Sequence, residues 1–292
     1  MVELWLLAAL SYAFFHALVS LQDKITLKHK SIDPICFATF RYGWNAVFSL
    51  FIVLLFFGFA LPSFITFLNI FLLSIIWAIA GVLYFIPMKT GDISQLIPFR
   101  EIPPVLLSFI LAIVLLSESV SVFDFLGTLT IVVGVYVLLT DGKIIVPKIS
   151  KALLAIGGCG VLLAVFGVFS KPVSLMIHPS LLNFYLYSLV FLMYIFGNSA
   201  MNYKNQLITF KKIFDDKKIL SLSLGASLSA TIGTLSLFYG LTVGKAAEVL
   251  PVTRVLPVFV TLLGWLFLKE KAGLPRLIGA IVMFIGVYLI AI

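Results

Sequence analysis

Four charged side chains lie deep inside long apolar segments of this chain. Arg100 and Glu101 are neighbours in LIPFREIPPVLL, Arg41 lies in FATFRYGWNAV, and Arg254 lies in VLPVTRVLPVF. A charge at the centre of a bilayer costs on the order of 3 kcal/mol on insertion scales, so such residues usually serve a substrate or ion path. Three arginines against one glutamate would suit a carboxylate or phosphate, to which a guanidinium donates two hydrogen bonds.

The partners of these charges can be predicted from helix geometry. Consecutive residues point about 100° apart on a helix, so Arg100 and Glu101 are not expected to face each other. Arg41 is then the predicted partner of Glu101. Two alternatives stay open: Glu101 could carry a coupling proton, or the charges could neutralise other helices for structural reasons only.

Aromatic residues in the same apolar segments could shape a binding pocket. The candidates for substrate binding are Trp44, Trp77, Tyr84 and Tyr239, and Tyr42, Tyr185 and Trp265 are further possibilities. Aromatic residues at helical spacing more often pack in the core or anchor the membrane interface.

The elements that must position these residues are membrane helices. Hydrophobic residues make up 62% of the 292 residues and charged residues 11%, where a soluble protein has about a quarter charged. Mean hydropathy is +1.20. The fold class is therefore an all-α polytopic membrane protein, with ten apolar segments each long enough to span a bilayer. Their predicted extents are 3–22, 33–58, 65–88, 94–116, 121–140, 151–170, 180–199, 219–241, 247–268 and 273–291, and the longest polar connection is 202–218.

The two halves of the chain repeat each other. GDISQLIPFREIPPVLL aligns with GKAAEVLPVTRVLPVFV, and GVYVLL near the end of the first half aligns with GVYLIA in the second. Lys24 and Lys171 also occupy matching places. Residues 1–140 and 151–292 are thus predicted to be two copies of a five-helix unit within one membrane domain. Because five is odd, the second copy must be inverted, an arrangement typical of secondary transporters.

Proline and glutamate recur at matching places in the fourth and ninth segments. Pro104 frees the carbonyl of Arg100 and Pro257 that of Thr253, because proline cannot donate to the residue four before it. Both helices are predicted to be kinked or broken there, and unpaired backbone at membrane depth must face protein or a cavity. The residues assigned to helix breaks and gating are Pro98, Pro104, Pro251 and Pro257, and those with a structural or gating role are Glu118 and Glu270.

The basic residues predict an orientation. Fifteen lysines and arginines lie in the odd-numbered loops, against Lys171 and Lys245 in the even-numbered ones. By the positive-inside rule the odd loops face the cytoplasm and both termini lie outside. The net charge of +8 is spread over these loops and so does not indicate a nucleic-acid partner.

Catalytic and cofactor motifs are missing from the sequence. His16, His29 and His178 are scattered, Cys36 and Cys159 lack ligand spacing, and neither HExxH nor GxxxxGK[ST] occurs. We expect no catalytic residue, no metal and no cofactor, with proton coupling as an open alternative.

The segment from Ala246 to Ile290, which begins AAEVLPVTRVLPVF, resembles the closing motif of the drug/metabolite transporter superfamily in its EamA-like branch. IDPICFATFRYGWNAV resembles the second helix of that family, with Arg41 at its arginine. The resemblance implies ten helices, inverted repeats, a central cavity and transport of small metabolites, often export. The RE pair at 100–101 is not carried over from the family.

The predicted function is a secondary transporter in the cell membrane, inner or plasma, that moves an amino acid or related carboxylate by alternating access, with export as the direction. Phosphorylated or nucleotide-linked sugars and drugs are the alternative substrates. A polytopic membrane enzyme or a channel is a less favoured class. The expected partners are a small-molecule substrate and the lipid bilayer, and the oligomeric state is left open.

Overall fold

The computed structural model describes residues 3–143, 150–268 and 273–292, with backbone only at 198–203 and 267–268. The described residues form eleven α-helices and no strand. In chain order the helices are α1 Leu4–Leu27, α2 Pro34–Ile52, α3 Phe64–Thr90, α4 Ile93–Leu116, α5 Val122–Thr140, α6 Lys151–Met176, α7 Pro179–Asp215, α8 Lys217–Val243, α9 Ala246–Thr253, α10 Leu256–Leu268 and α11 Leu274–Ile290. A π-helical turn, Val53–Phe57, continues α2.

The helices match the predicted spans in number and place. Nine segments within the described ranges have the length and hydropathy to cross a membrane, and α9 with α10 forms one of them. The last helix, Leu274–Ile290, is apolar but shorter. At about 1.5 Å per residue its 17 residues still extend some 25 Å. The fold class predicted from the sequence, ten helices in two repeats, is confirmed.

Four glycines hold α5 and α11 together. A Cβ at Gly127 would lie 2.6 Å from the carbonyl oxygen of Gly286, and one at Gly134 would lie 2.8 Å from that of Gly279. In the sequence repeat the equivalent pairs are the other way round, Gly127 with Gly279 and Gly134 with Gly286. This crosswise contact requires the two helices to be antiparallel, as inverted repeats demand.

Two lysines repeat one helix-end contact in both halves. The ammonium of Lys24 on α1 donates to the carbonyl oxygens of Met88, at 2.8 Å, and Gly91, where α3 ends. Lys171 on α6 donates to the carbonyl oxygen of Gly244, where α8 ends. A cation suits the negative end of a helix dipole. The first helix of each repeat is thus tied to the end of the third helix of its own half.

Packing between the halves is also reciprocal. The first helix of one half packs along the third helix of the other: α1 along α8, and α6 along α3. The fourth span of each half packs on the first helix of the other half. In the first half this span is α4, which packs on α6, and in the second half it is α9 with α10, which pack on α1. The two repeats therefore interlock, and a site in the middle is built from both.

Two predicted helix ends were wrong. The first span continues past residue 22 to Leu27, because Asp23 and Lys24 find partners inside the protein. The polar stretch 202–218, predicted as a loop, is mostly helix, since α7 runs to Asp215 without a proline after its first residue. The C-terminal part of α7 packs on α2, where the rings of Phe210 and Phe214 each lie 5.6 Å from the ring of Phe40.

Both spans were predicted to be kinked or broken, and a break is confirmed in the ninth span while the fourth is not broken. Residues Arg254 and Val255 form a turn between α9 and α10, ahead of Pro257. By contrast α4 is helical throughout, although Pro98, Pro103 and Pro104 lie within it. The carbonyl oxygen of Arg100, which Pro104 leaves without a helix hydrogen bond, packs tightly against Gly160 of α6. The neighbouring helix therefore shields this unpaired carbonyl from lipid.

Candidate functional site

A small cavity lies in the middle of the bundle, lined by residues of α1, α2, α3, α4, α6, α7 and α8. Two arginines, Arg41 and Arg100, line it together with His16 and a set of aromatic side chains, namely Tyr12, Tyr42, Trp77, Tyr84, Phe85 and Tyr187. The cavity volume is about 60 Å³. A cavity of about 150 Å³ holds benzene, so this conformation is too narrow for an organic ligand and would have to widen to take one.

Arg41 is held by an acid on the first helix. Its Nη1 lies 2.6 Å from Oδ1 and 2.5 Å from Oδ2 of Asp23. The hydroxyl of Tyr84 donates to the same carboxylate over 3.2 Å. Asp23 and Arg41 are almost fully buried, so the pair is desolvated on all sides. The prediction that Arg41 pairs with Glu101 was wrong.

Glu101 instead joins the two repeats through two other arginines. Its Oε1 accepts from Arg100, with both Nε and Nη2 at 2.6 Å, and its Oε2 lies 3.3 Å from Nη1 of Arg254. The prediction that Arg100 and Glu101 do not face each other was wrong. Helix geometry sets only the directions in which their Cβ atoms leave the backbone. A long arginine side chain can fold back across that angle. Glu101 itself is fully buried.

The arginines also rest on aromatic rings. The guanidinium of Arg100 lies 5.2 Å from the centre of the Tyr84 ring, and that of Arg254 lies 5.9 Å from the Tyr12 ring. Both distances are in the range of cation–π attraction. Tyr84 therefore contacts both ion-pair groups, through its hydroxyl on one side and its ring on the other.

Two buried hydrogen-bond donors of residues that line the cavity have no partner in the described part of the chain, the indole Nε1 of Trp77 and the guanidinium Nε of Arg41. Leaving such a group unpaired costs about 1–3 kcal/mol. A ligand with an acceptor atom could recover that free energy.

The structure brings some predicted residues to the cavity and leaves others elsewhere. Trp77, Tyr84, Arg41 and Arg100 line it, while Glu101 and Arg254 lie directly behind the wall. Trp44 packs between Phe40 and Phe48, and Tyr239 is 42% exposed on another side of the bundle. Of the further aromatic candidates, Tyr42 lines the cavity, Tyr185 bonds the Ala60 carbonyl over 2.9 Å, and Trp265 is exposed.

None of the four prolines assigned to helix breaks lines the cavity. Pro98 and Pro257, from opposite repeats, line a smaller pocket beside the N-terminus of α4. Pro104 and Pro251 are buried among the helices. Pro104 and Pro257 leave the carbonyls of Arg100 and Thr253 without a donor four residues on, next to Glu101 and Arg254.

Glu118 closes one end of the bundle. Its two carboxylate oxygens accept from the backbone N–H groups of Ala246, at 2.9 Å, and Ala247, at 2.8 Å, in the first turn of α9. A carboxylate is favoured there by the positive end of the helix dipole. Glu118 thus joins the end of α4 in one repeat to the start of α9 in the other. Its sequence counterpart, Glu270, lies outside the described residues.

Sequence reasoning missed the other half of the charged network. Asp23 fell at the predicted end of the first span and was counted with the loop. Tyr12 and His16 are four residues apart and so share one face of α1, a spacing that could have marked them. Tyr187 occupies in IHPSLLNFYLY the place that Tyr42 has in IDPICFATFRY, a repeat signal that was present. No group of three His, Cys, Asp or Glu suited to a metal occurs among the described residues.

Comparison with known proteins agrees with this architecture. An uncharacterized protein of Methanocaldococcus jannaschii is 38% identical over 92 residues, which cover 32% of this chain and 63% of that protein's length. A crystal structure, described only as that of a protein, superposes with a TM-score of 0.76 at 12% identity over 98% of this chain and 95% of the other. That likeness concerns the fold alone.

The sequence model of the EamA-like transporter family matches residues 3–140 and 150–292, once for each repeat and nearly the whole chain. Members of this family are membrane transporters of small molecules, within the drug/metabolite transporter superfamily. The chain belongs to the EamA-like transporter family and is a multi-pass membrane protein.

Proposed function

We propose that this protein is a secondary transporter that carries a small organic carboxylate, such as an amino acid or a related acid, through the central cavity. The observation that supports this most is the presence of Arg41 and Arg100 in the wall of one cavity. Guanidinium groups recognise carboxylates through paired hydrogen bonds. The unpaired indole N–H of Trp77 supplies a further donor.

The lining favours a carboxylate over the other substrates. No aspartate or glutamate lines the cavity in the described part of the chain, and Asp23 and Glu101 are already bonded to Arg41 and Arg100, so a lipophilic cation would meet two arginines and no free carboxylate. Phosphorylated and nucleotide-linked sugars have the right sign but need far more space. A small acid would require the least widening of the cavity of about 60 Å³.

Alternating access is supported by the contacts that close the bundle at its two ends. The contacts of Glu118 with α9 and of Lys171 with the end of α8 lie towards the even-numbered loops. The contact of Lys24 with the end of α3 and the Asp23–Arg41 pair lie towards the odd-numbered loops. Because the repeats are inverted, opening one end while the other stays closed requires only that the halves exchange conformations.

The direction and orientation are part of the same proposal. The odd-numbered loops hold the basic residues and would face the cytoplasm, with both termini outside the cell membrane. Export is the proposed direction, as the family resemblance implies. We expect any coupling to use protons, because the buried acids beside the cavity, Asp23 and Glu101, are groups that can bind them.

The test is a binding screen on the purified protein in detergent. Melting temperature is followed against monocarboxylates, amino acids, phosphorylated acids, nucleotide sugars and lipophilic cations. A ligand at 100 times its Kd adds about 2.7 kcal/mol of stability. Stabilisation by carboxylates that is lost in Arg100→Gln and kept in Arg276→Gln supports the proposal, since Arg276 pairs with Asp141 at a helix end. Stabilisation by cations alone would contradict it.

Transport itself is tested in proteoliposomes. Uptake of the stabilising acid is measured with and without a pH gradient, and again after a protonophore. Acceleration by the gradient that the protonophore removes would support proton coupling. Labelling of cysteines introduced in odd and even loops of intact cells decides the orientation.

A further inference from the structure

We propose that the buried charges around the cavity carry one net positive charge and thereby select a ligand with a single negative charge. This rests on the proposed function, transport of a small acid through the same cavity, and narrows it to monocarboxylates. The inference concerns five groups: Asp23, Arg41, Arg100, Glu101 and Arg254.

These five groups, which we call the charge cluster, are shielded from solvent. Their exposed fractions are 0% for Asp23, 3% for Arg41, 7% for Arg100, 0% for Glu101 and 2% for Arg254. Three guanidinium groups against two carboxylates leave one positive charge. Buried charge without compensation is costly, because taking an ion out of water carries a large desolvation penalty.

The cluster behaves as one unit because its members are joined around the cavity. Asp23 binds Arg41, and Glu101 lies between Arg100 and Arg254. Tyr84 connects the two groups, with its hydroxyl 3.2 Å from Asp23 and its ring under Arg100. Each carboxylate is hydrogen-bonded to a guanidinium, an arrangement in which both partners are charged.

Other titratable groups near the cavity do not change this balance. His16 lines the same wall, and its Nε2 lies 3.3 Å from the hydroxyl oxygen of Thr234, an uncharged partner. The ammonium of Lys24 points away to carbonyl oxygens at the end of α3, and Asp124 caps the start of α5. Neither belongs to the charge cluster.

Ligands of different charge would therefore leave different net charges in the occupied cavity. A monocarboxylate brings the total to zero, a dianion leaves one negative charge, and a cation leaves two positive ones. An amino acid zwitterion would add an ammonium for which the described lining offers no acidic partner. Only the monocarboxylate leaves the occupied cavity with no net charge and no ligand group without a partner of opposite charge.

The experiment changes the charge of the cluster without removing the arginines that line the cavity. Glu101→Gln raises the net charge to two, Arg254→Gln lowers it to zero, and the double variant restores one. Binding of lactate, malonate, alanine and tetraethylammonium to each purified full-length protein is measured by thermal shift and isothermal titration. These probes represent a monoanion, a dianion, a zwitterion and a cation.

The unaltered protein should bind lactate at least tenfold more tightly than malonate, about the effect of one charge some 10 Å away at an effective dielectric of 20. Glu101→Gln should reverse this preference. With Arg254→Gln the cluster carries no net charge, so alanine should gain affinity relative to lactate while lactate still binds more tightly than malonate. The double variant should recover the preference for lactate, although two residues of the network are then missing. A purely structural role of these residues would make the double variant the worst of the four.

The outcomes separate the two proposals. If the unaltered protein binds acids with no preference between one and two negative charges, the charge inference is overturned while transport of acids stands. If it binds tetraethylammonium and no acid, the proposed function itself fails. Should Glu101→Gln not fold, the comparison of lactate with malonate on the unaltered protein, and of alanine with lactate on Arg254→Gln, still decides the question.

Discussion

Asp23 on α1 binds Arg41 on α2 with both carboxylate oxygens, at 2.6 and 2.5 Å. The two residues are 18 positions apart and almost fully buried. Such a pair adds little net stability over an apolar one, but breaking it leaves a buried charge alone. The pair therefore links α1 to α2 through side chains beside the cavity.

The first prediction concerns this pair. Asp23→Asn should lower the free energy of unfolding by about 3–5 kcal/mol, because Arg41 stays buried without its counter-charge. The double variant Asp23→Asn/Arg41→Gln should cost less than Asp23→Asn alone. Thermal unfolding in detergent measures both. Asp141→Asn is the control, since the Asp141 side chain is 57% exposed and exposed pairs contribute about 1 kcal/mol or less.

The sequence predicted the spans well because each is a long apolar run bounded by charges or by proline. It also predicted the repeat, since Gly127, Gly134 and their counterparts are needed at fixed places where α5 crosses α11. These positions must be glycine because the backbones of α5 and α11 approach too closely there to leave room for a side chain. The broken ninth span was predicted from proline in the same direct way.

The pairing of the buried charges could not be predicted in that way. Whether Arg41 reaches Asp23 or Glu101 depends on side-chain rotamers and on which helices touch. The end of α1 was misplaced because Asp23 is acceptable in a helix at this depth only when Arg41 is near, a fact of tertiary structure. Trp44 and Tyr239 face away from the cavity for a similar reason, since periodicity alone does not say which face of a helix meets the centre.

The second prediction tests the close approach of α6 to α4. A Cβ at Gly160 would collide with the carbonyl oxygen of Arg100 and come within 3.2 Å of the Pro104 ring. Gly160→Ala should therefore destabilise the protein by about 1–3 kcal/mol, as overpacking does. It should also weaken ligand binding, because Arg100 would be displaced. Thermal unfolding and the binding screen measure the two effects.

Gly158 offers a matched control on the same helix. A Cβ there meets only Leu83, at 3.4 Å, which is ordinary contact. Gly158→Ala should leave the melting temperature unchanged or raise it, since alanine favours the helix by up to about 1 kcal/mol. Equal effects of the two substitutions would show that the contact with Arg100 has no special role.

The third prediction tests the crossing of α5 and α11. Gly286→Ala would place a methyl 2.7 Å from the carbonyl oxygen of Gly127, where backbone cannot give way as a side chain can. We expect a loss of about 1–3 kcal/mol in stability, measured by thermal unfolding. Gly197→Ala is the control, because nothing described lies within 4 Å of its position. If both variants melt at the same temperature, the antiparallel contact is looser than the glycine distances imply.

The fourth prediction concerns the contact between Glu118 and the first turn of α9. Glu118→Gln keeps one acceptor and removes the charge, so it should weaken the interaction with the helix dipole by roughly 0.3–1 kcal/mol. The weakened contact joins the two repeats at the end of the bundle where α4 ends and α9 begins. That end should therefore open more often. A cysteine in place of the fully buried Ala247 should then be labelled faster, in a background where Cys36 and Cys159 are replaced.

Glu248→Gln is the matched control, because Glu248 lies in the same first turn of α9 but pairs with Lys245 at the start of that helix, at 2.9 Å. It removes a favourable charge from the same dipole without touching α4. Labelling at position 247 should then stay at the unaltered rate while the melting temperature falls by a similar amount. Faster labelling in both variants would mean that the stability of α9, and not its bond to Glu118, controls the opening of this end.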